Sequence, residues 1–295
     1  MFKEESSSDA EDLAFEAERQ REREEQIKEG IWQPKIFEDS PEVICAASTK
    51  EFPGLIYLRA PERLEEGIFN PNKIKAGKSL ARFLQAIDPN FRPEKVVCPE
   101  LAHSTSVRFI GRLEIRAYLW PKRRKILKTD GLITQEPDLI LMVLSADCPP
   151  VGVYDPRHKA IGVFHSGWKS TAGNIIVKGL EQMRSVFGTH PRDIYAVVGP
   201  GISSDYEVGE DVYQRFLKSR NFSAEELAQI FQPKDKEKYN LSLHQAILLE
   251  LLKAGVSADH IEITSLRTDL DKDLFPSHRR EGEAADRFAF IMALK

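Results

Sequence analysis

Cysteine is scarce in this chain. Cys45, Cys98 and Cys148 are the only three, an odd number with no paired spacing, so no disulfide framework is expected. No apolar run approaches the length needed to cross a bilayer, and residues 1–30 are acidic and Ser-rich rather than basic then apolar. Membrane insertion and secretion are therefore not expected, and a reducing cytoplasm is. The chain also lacks the clustered basic face that nucleic acid requires. Its net charge is −4, but residues 3–29 alone hold eleven Asp/Glu against five Lys/Arg, which leaves the remainder at about +2. The single basic knot, Lys122-Arg-Arg-Lys125 with Lys128, falls between two expected strands and reads as a solvated hairpin tip. No nucleic-acid partner is expected.

What is present describes an ordinary globular chain. Its 295 residues are 41% hydrophobic and 30% charged, enough for one large domain or two small ones. Residues 1–40 read as an acidic, charged extension and linker, helical or disordered. Ser8-Asp-Ala-Glu11 has capping-box spacing, and 11–28 contains neither Gly nor Pro. Its apolar residues are chiefly Leu13, Phe15 and Ile27, so it is expected to dock weakly and to be dispensable. Residues 41–295 read as one domain.

Within that domain short β-rich runs fall at 43–47, 55–58, 96–98, 107–110, 139–144, 151–154, 160–164 and 194–198, with a last one at 261–266. Helical spacing appears at 79–87, 170–187, 207–217, 224–231 and 241–253. Early hairpins followed by helices predict an α+β fold, a layered α/β sandwich whose paired β-sheets are covered by helices.

Two of these strands end in metal-binding residues. The run at 139–144 leads into Ser145-Ala-Asp-Cys148, and the run at 160–164 leads into His165-Ser-Gly-Trp168. A lone cysteine is most often an inert buried thiol. Here Pro149-Pro150 follows, forcing an extended path that stiffens the backbone beside the sulfur. His103, after another apolar run, is the third candidate. One thiolate with two imidazoles suits zinc, and three protein ligands leave a fourth position for water or substrate. Beyond His165, Lys169, Ser170 and Thr171 open the helix expected to reach 187. Its free amides, their hydroxyls and the Lys169 ammonium would make an anion seat. His158, His190, His244 and His260 read as solvated. His278 stands apart, beside Arg279 and Arg280, whose guanidinium groups suit phosphate or carboxylate. Asp147 and Glu207 are the carboxylates considered for proton transfer.

These segments resemble the family of laccase-domain proteins, also called polyphenol oxidase-like proteins and purine nucleoside phosphorylases of the YfiH/FAMIN type. The matching segments are Leu101-Ala-His-Ser-Thr-Ser-Val107, Asp130-Gly-Leu-Ile-Thr134 and Ser145-Ala-Asp-Cys-Pro-Pro-Val151. They continue with His165-Ser-Gly-Trp-Lys169, Gly199-Pro-Gly-Ile-Ser-Ser-Asp-Tyr-Glu-Val-Gly209 and Phe275-Pro-Ser-His-Arg-Arg280. Departures from the family's pattern fall at Ala102, Ser104, Lys169 and His278, and Asn70 to Gly77 matches poorly. The resemblance implies an α/β sandwich with helices outside paired sheets, and His103, Cys148 and His165 as zinc ligands. It also implies phosphorolysis of adenosine, inosine, guanosine and methylthioadenosine, with adenosine deamination alongside. Purine nucleosides and phosphate would be the small-molecule partners of a monomer or small homo-oligomer. The copper in the family's naming is disfavoured by histidine count, because a coupled copper cluster needs a further histidine set and this chain has seven histidines and no His-x-His. Two other classes stand beside this reading. One is a zinc-free cysteine hydrolase with Cys148 as nucleophile and His165 as base. The other is a catalytically idle relative that works by binding, with the acidic arm recruiting a partner.

Overall fold

The structure is a computed structural model that describes residues 5–58, 71–112, 126, 128–137 and 139–295. The basic knot at 122–125 and Asn70 lie outside the described residues. The apolar runs fold as strands because both of their faces are covered. In chain order they are β1 (Ile27–Lys28), β2 (Ile31–Trp32), β3 (Val43–Ser48), β4 (Val96–Val97) and β5 (Val107–Phe109). Next come β6 (Gly131–Thr134), β7 (Ile140–Ser145), β8 (Pro150–Asp155), β9 (Ala160–His165) and β10 (Tyr195–Val198). The last are β11 (Tyr206–Gly209), β12 (Phe231–Pro233), β13 (Lys238–Leu241), β14 (Ile261–Ile263) and β15 (Phe288–Leu294). The helices that concern the site are α1 (Glu5–Gln26), α2 (Pro71–Ile87), α3 (Trp168–Ala172) and α4 (Ile175–Phe187). They are followed by α5 (Glu210–Ser219), α6 (Ala224–Ile230), α7 (Leu243–Ala254) and α8 (His278–Glu281).

Two six-stranded sheets stack face to face. The first runs β1-β2-β3-β15-β7-β4, and the second runs β14-β10-β8-β9-β6-β5. Between them lies a shared core in which Trp32, Val143, Phe288 and Phe290 meet Tyr154, Val163 and Val197. The first sheet's outer face is covered by α2 through Leu80, Phe83 and Leu84, packed on Ile140, Met142 and Ile291. On the second sheet α4 and α7 bring Ile175, Ile176, Met183, Ile247 and Leu251 onto Val151 and Val153. This is the expected sandwich of paired sheets under helices. Each fully buried Phe or Leu contributes roughly 1.5–3 kcal/mol by removal from water. The helix cover is close: a Cβ on Gly179 of α4 would fall 2.2 Å from the ring of Phe164. Phe164 precedes His165, so the same packing fixes the end of β9. No helix among the described residues is long and apolar enough to cross a membrane.

The structure corrects several local expectations. Residues 55–58 form a 3-10 turn rather than a strand. Gly54 precedes them at φ +85°, and the Asp286 carboxylate accepts from the amides of Gly54 and Ile56, fixing a tight turn. The helix expected over 170–187 is split into α3 and α4, because the chain breaks at Gly173 and Asn174, the latter at φ +60°. The start of the helix expected at 207 belongs instead to β11, which pairs with β13, so α5 begins at Glu210. His244 is not solvated. It is buried on α7, and burial holds its imidazole well below the usual range.

The acidic extension also does more than its apolar content suggests. Residues 27–32 add β1 and β2 to the first sheet. Helix α1 docks through polar groups: Glu22, only 8% exposed, accepts from Trp32 Nε1 at 3.0 Å and from the amide and hydroxyl of Ser265, both at 2.6 Å. The Thr264 hydroxyl donates to the same carboxylate. Arg19 and Arg23 reach the buried Asp271 at 3.4 and 3.2 Å. The expectation of weak docking is thereby corrected. Glu22→Ala leaves buried donors unpaired, and we expect a loss of about 2–4 kcal/mol in urea denaturation. Leu13, 71% exposed, should tolerate Ala within about 0.5 kcal/mol. Equal stability of the two variants would show that the helix does not dock.

Candidate metal centre

The three candidate ligands come from places where the chain leaves a sheet. The loop between β4 and β5, and the turn between β7 and β8, each carry the backbone from the first sheet to the second. His103 lies on the first crossing and Cys148 on the second, while His165 is the last residue of β9. Their ligand atoms all lie within 4.8 Å of one another. His103 Nε2 stands 4.0 Å from Cys148 Sγ, and the two imidazoles meet edge to face with centroids 5.0 Å apart.

Asp130, immediately before β6, organises this cluster. Its carboxylate accepts from the successive amides of Ala102, His103 and Ser104 at 3.2, 2.9 and 2.7 Å, and from the Ser104 hydroxyl at 2.8 Å. That grip curls the loop and holds His103 at φ +53°, a conformation few non-glycine residues adopt. The same carboxylate lies 3.1 Å from His165 Nδ1, which leaves Nε2 of that ring facing the cluster. A carboxylate behind a histidine fixes both tautomer and ring orientation, as metal sites require. Burial pushes the Asp130 carboxyl up, but the hydrogen bond and charge of His165 and the donors of Ser104 outweigh it and keep the group ionised.

Electrostatics favour a thiolate at Cys148. Burial raises its pKa, yet the charge of His165 and the hydrogen bonds from His103 and His165 bring it down to about 6. For His165, burial lowers the pKa, while the Cys148 charge and the Asp130 bond lift it to about 9. Each shift reflects the other's charge, so sulfur carries the negative charge and the site attracts a cation. The donor set, one soft sulfur and two imidazole nitrogens, fits zinc and is unsuited to calcium or magnesium. Gly167 keeps the space between the ligands open: a Cβ there would sit 2.8 Å from Cys148 Sγ and 2.9 Å from the His103 ring.

The cluster opens into a cavity of about 480 Å³, lined further by Leu101, Asp147, Trp168, Tyr206, Arg279 and Arg287. That volume suits a small organic ligand. Lys169 lies on its wall, with Nζ 5.2 Å above the Trp168 ring. Arg279 stacks 5.3 Å over Tyr206 and donates to the Glu207 carbonyl at 2.7 Å. His278 also lines the cavity.

Other sequence candidates lie elsewhere. Ser170 and Thr171 are fully buried on the inner side of α3 and do not line the cavity. Gly167, not either hydroxyl, occupies the N-cap, and the Ser170 hydroxyl donates to the carbonyls of His165 and Gly167. Arg280 turns away to the carbonyls of Thr268 and Phe275. Asp147 does line the cavity, but each of its oxygens accepts a hydrogen bond at 2.6 Å, one from the Thr268 hydroxyl and one from the Arg279 amide. Glu207 is outside it, and hydrogen bonds from Lys238 and Lys234 draw its pKa down to about 2. Asp130, Tyr206 and Arg287 were not singled out from sequence. The first two fall in the quoted segments, where only the resemblance marked them, and Arg287 had no signal.

The Gly167 contacts yield a direct test. Its φ of −73° permits alanine, so Gly167→Ala should fold with a melting temperature within a few degrees of the parent. We expect its metal affinity to fall at least ten-fold in a chelator competition, because the methyl group occupies the space between two ligands. Unchanged affinity would mean that the ligand atoms do not converge there.

Comparison with known proteins gives the family and the fold. The family model for multi-copper polyphenol oxidoreductase laccases matches residues 72–295. A purine nucleoside phosphorylase of Bacteroides thetaiotaomicron is 34% identical over 196 residues, covering 66% of this chain and 72% of that protein. The purine nucleoside phosphorylase YlmD of Bacillus subtilis is 33% identical over 57% of this chain and 59% of its own length. Among solved structures, the Bacillus licheniformis hypothetical protein YfiH superposes with a TM-score of 0.76 at 24% identity, covering 91% of this chain and 97% of that one. The chain therefore belongs to the laccase-domain family and is related to members of it named purine nucleoside phosphorylases.

Proposed function

We propose that this chain is a zinc-dependent purine nucleoside phosphorylase acting on adenosine, inosine, guanosine or methylthioadenosine, and that the same site deaminates adenosine. The observation that supports this most is the convergence of His103, Cys148 and His165 at the end of a cavity of nucleoside size with three cationic side chains, Lys169, Arg279 and Arg287, on its wall. The curated relatives named as purine nucleoside phosphorylases supply the reaction class.

In phosphorolysis a phosphate oxygen bonds to the ribose anomeric carbon while the bond from that carbon to purine N9 breaks. The bonding pair leaves with the purine, which takes up a proton. His103, Cys148 and His165 would hold a zinc ion, which would supply Lewis acidity to the site. Lys169 and Arg279 attract and orient phosphate, and the Tyr206 face and Glu207 carbonyl preset the Arg279 guanidinium. Leu101, Trp168 and Ile202 offer apolar walls for the base. Asp130 holds both histidine-bearing segments in register, and Asp147 fixes the turn that carries Cys148. In this reading Ser170, Thr171 and Arg280 shape the site from behind rather than touching substrate. Glu207 remains ionised at neutral pH and is not the proton donor.

One observation favours the cysteine hydrolase. Cys148, His165 and Asp130 form a thiol, imidazole and carboxylate series of the kind that activates nucleophiles. His103 weighs against it, because a second imidazole held 4.0 Å from the sulfur has no part in that mechanism and completes a metal set.

Purified protein should carry about one zinc per chain, and Cys148→Ala or His165→Ala should empty the site. Incubated with inosine and phosphate it should release hypoxanthine and ribose 1-phosphate, and with adenosine also ammonia. Lys169→Ala should raise the phosphate KM roughly ten-fold without changing zinc content. Cleavage of inosine without phosphate, or turnover surviving in zinc-free protein, would overturn this reading.

A further inference from the structure

Helix α1 lies outside the residues that match the family model, yet its contacts lead to the candidate metal centre. The path runs through residues 264–271, the segment that follows β14. One side of that segment is gripped by α1. Glu22 takes the Ser265 amide and the hydroxyls of Thr264 and Ser265. Arg19 and Arg23 pair with Asp271, whose other oxygen accepts the Arg267 amide at 2.7 Å. The Arg267 guanidinium lies 5.4 Å over the Phe15 ring and donates to the carbonyls of Thr264 and Leu266.

The other side of the segment supports the turn carrying Cys148. The Thr268 hydroxyl donates to Asp147 at 2.6 Å, and its amide donates to Gly201 at 2.9 Å. Asp269 accepts both the amide and the hydroxyl of Ser203. Asp147 itself sits at φ +93°, and its carbonyl accepts the Ile202 amide at 2.8 Å. A non-glycine residue persists in that conformation only where its surroundings over-determine it. The surroundings here are Thr268, Ile202 and Arg279, and the next residue is the metal-binding cysteine.

We propose that α1 is a positioning element for the metal centre: Glu22, Arg19 and Arg23 hold residues 264–271 so that Thr268 fixes Asp147, and through it Cys148. This rests on the metal reading of the His103, Cys148 and His165 cluster, and not on the identity of the substrate. Four carboxylate-bound donors and two guanidinium pairs are more than a surface helix with few apolar residues needs for attachment alone. Three of those four donors and both guanidinium pairs fall on 264–271, a segment that touches the Cys148 turn through Thr268.

The test compares the full chain with three variants, the double substitution Arg19→Ala with Arg23→Ala, its Lys counterpart, and Thr268→Val. Hydrogen exchange of the metal-free proteins and zinc affinity by chelator competition are the readouts, after thermal melts show that each variant is folded. The Ala pair should speed exchange both at 264–271 and at the amides of Ala146, Asp147, Cys148 and Ile202, and weaken zinc binding about ten-fold or more. The Lys pair, which keeps the charge, should recover part of both. Thr268→Val should produce the effects at 146–148 and on zinc while leaving exchange at 264–266 unchanged. If the Ala pair loosens 264–271 but leaves the Cys148 turn and zinc affinity within two-fold, α1 merely stabilises the fold and the proposal is overturned. It is equally overturned if 264–271 does not respond. Neither readout needs nucleoside turnover, so an enzyme that fails as a phosphorylase leaves this result standing, and the reverse also holds.

Discussion

The carboxylate of Asp130 is the interaction on which the site depends. Five donors converge on it, three of them successive backbone amides. Three amides in a row create a concave positive surface, and an ionised acid is the natural occupant. With Asp130 in place the loop after β4 curls, His103 adopts its left-handed backbone, and the His165 ring is locked with Nε2 toward the sulfur. One buried acid therefore sets two of three candidate ligands. Its negative charge also lies behind His165, which raises the basicity of that ring and increases its strength as a metal donor.

The sandwich supplies what Asp130 does not, namely rigidity and proximity. His103 and Cys148 sit on two connections that cross from one sheet to the other, so their separation is set by the distance between packed sheets rather than by sequence. The shared core around Phe288 and Phe290 keeps that distance constant, since interiors packed to crystal-like density yield little to small forces. The third ligand is fixed by the close seat of α4 on Phe164. Glycine is required where the fold brings elements into contact, as at Gly179 against that ring and at Gly167 between the ligands.

Much of this was legible in the chain. The strands at 43–48, 140–145, 150–155 and 160–165 follow from unbroken apolar runs, and their ends presented Cys148 and His165. The convergence of His103 with them was legible only through the resemblance, because sequence separation says nothing of proximity across a fold. The helix break at Gly173 and Asn174 was masked by apolar spacing that continued through it. With it went the assignment of Ser170 and Thr171 to an anion seat, since five residues of α3 place those hydroxyls inward. Glu22 could not have been found: one of eleven acids in a charged segment, it is distinguished only by the Trp32, Thr264 and Ser265 groups that meet it. Its docking replaces the picture of a solvated arm with a polar attachment. It also removes the motive for treating residues 15–26 as a free recruiting surface.

The central claim is that one thiolate and two imidazoles of this chain form a single metal centre with an open position. X-ray absorption at the zinc edge of the protein loaded with one equivalent of zinc tests it most directly. The account predicts one sulfur near 2.3 Å, two imidazole nitrogens near 2.0–2.1 Å and one further light atom, with the sulfur lost in Cys148→Ser. A shell without sulfur, or one unchanged by that substitution, would contradict it.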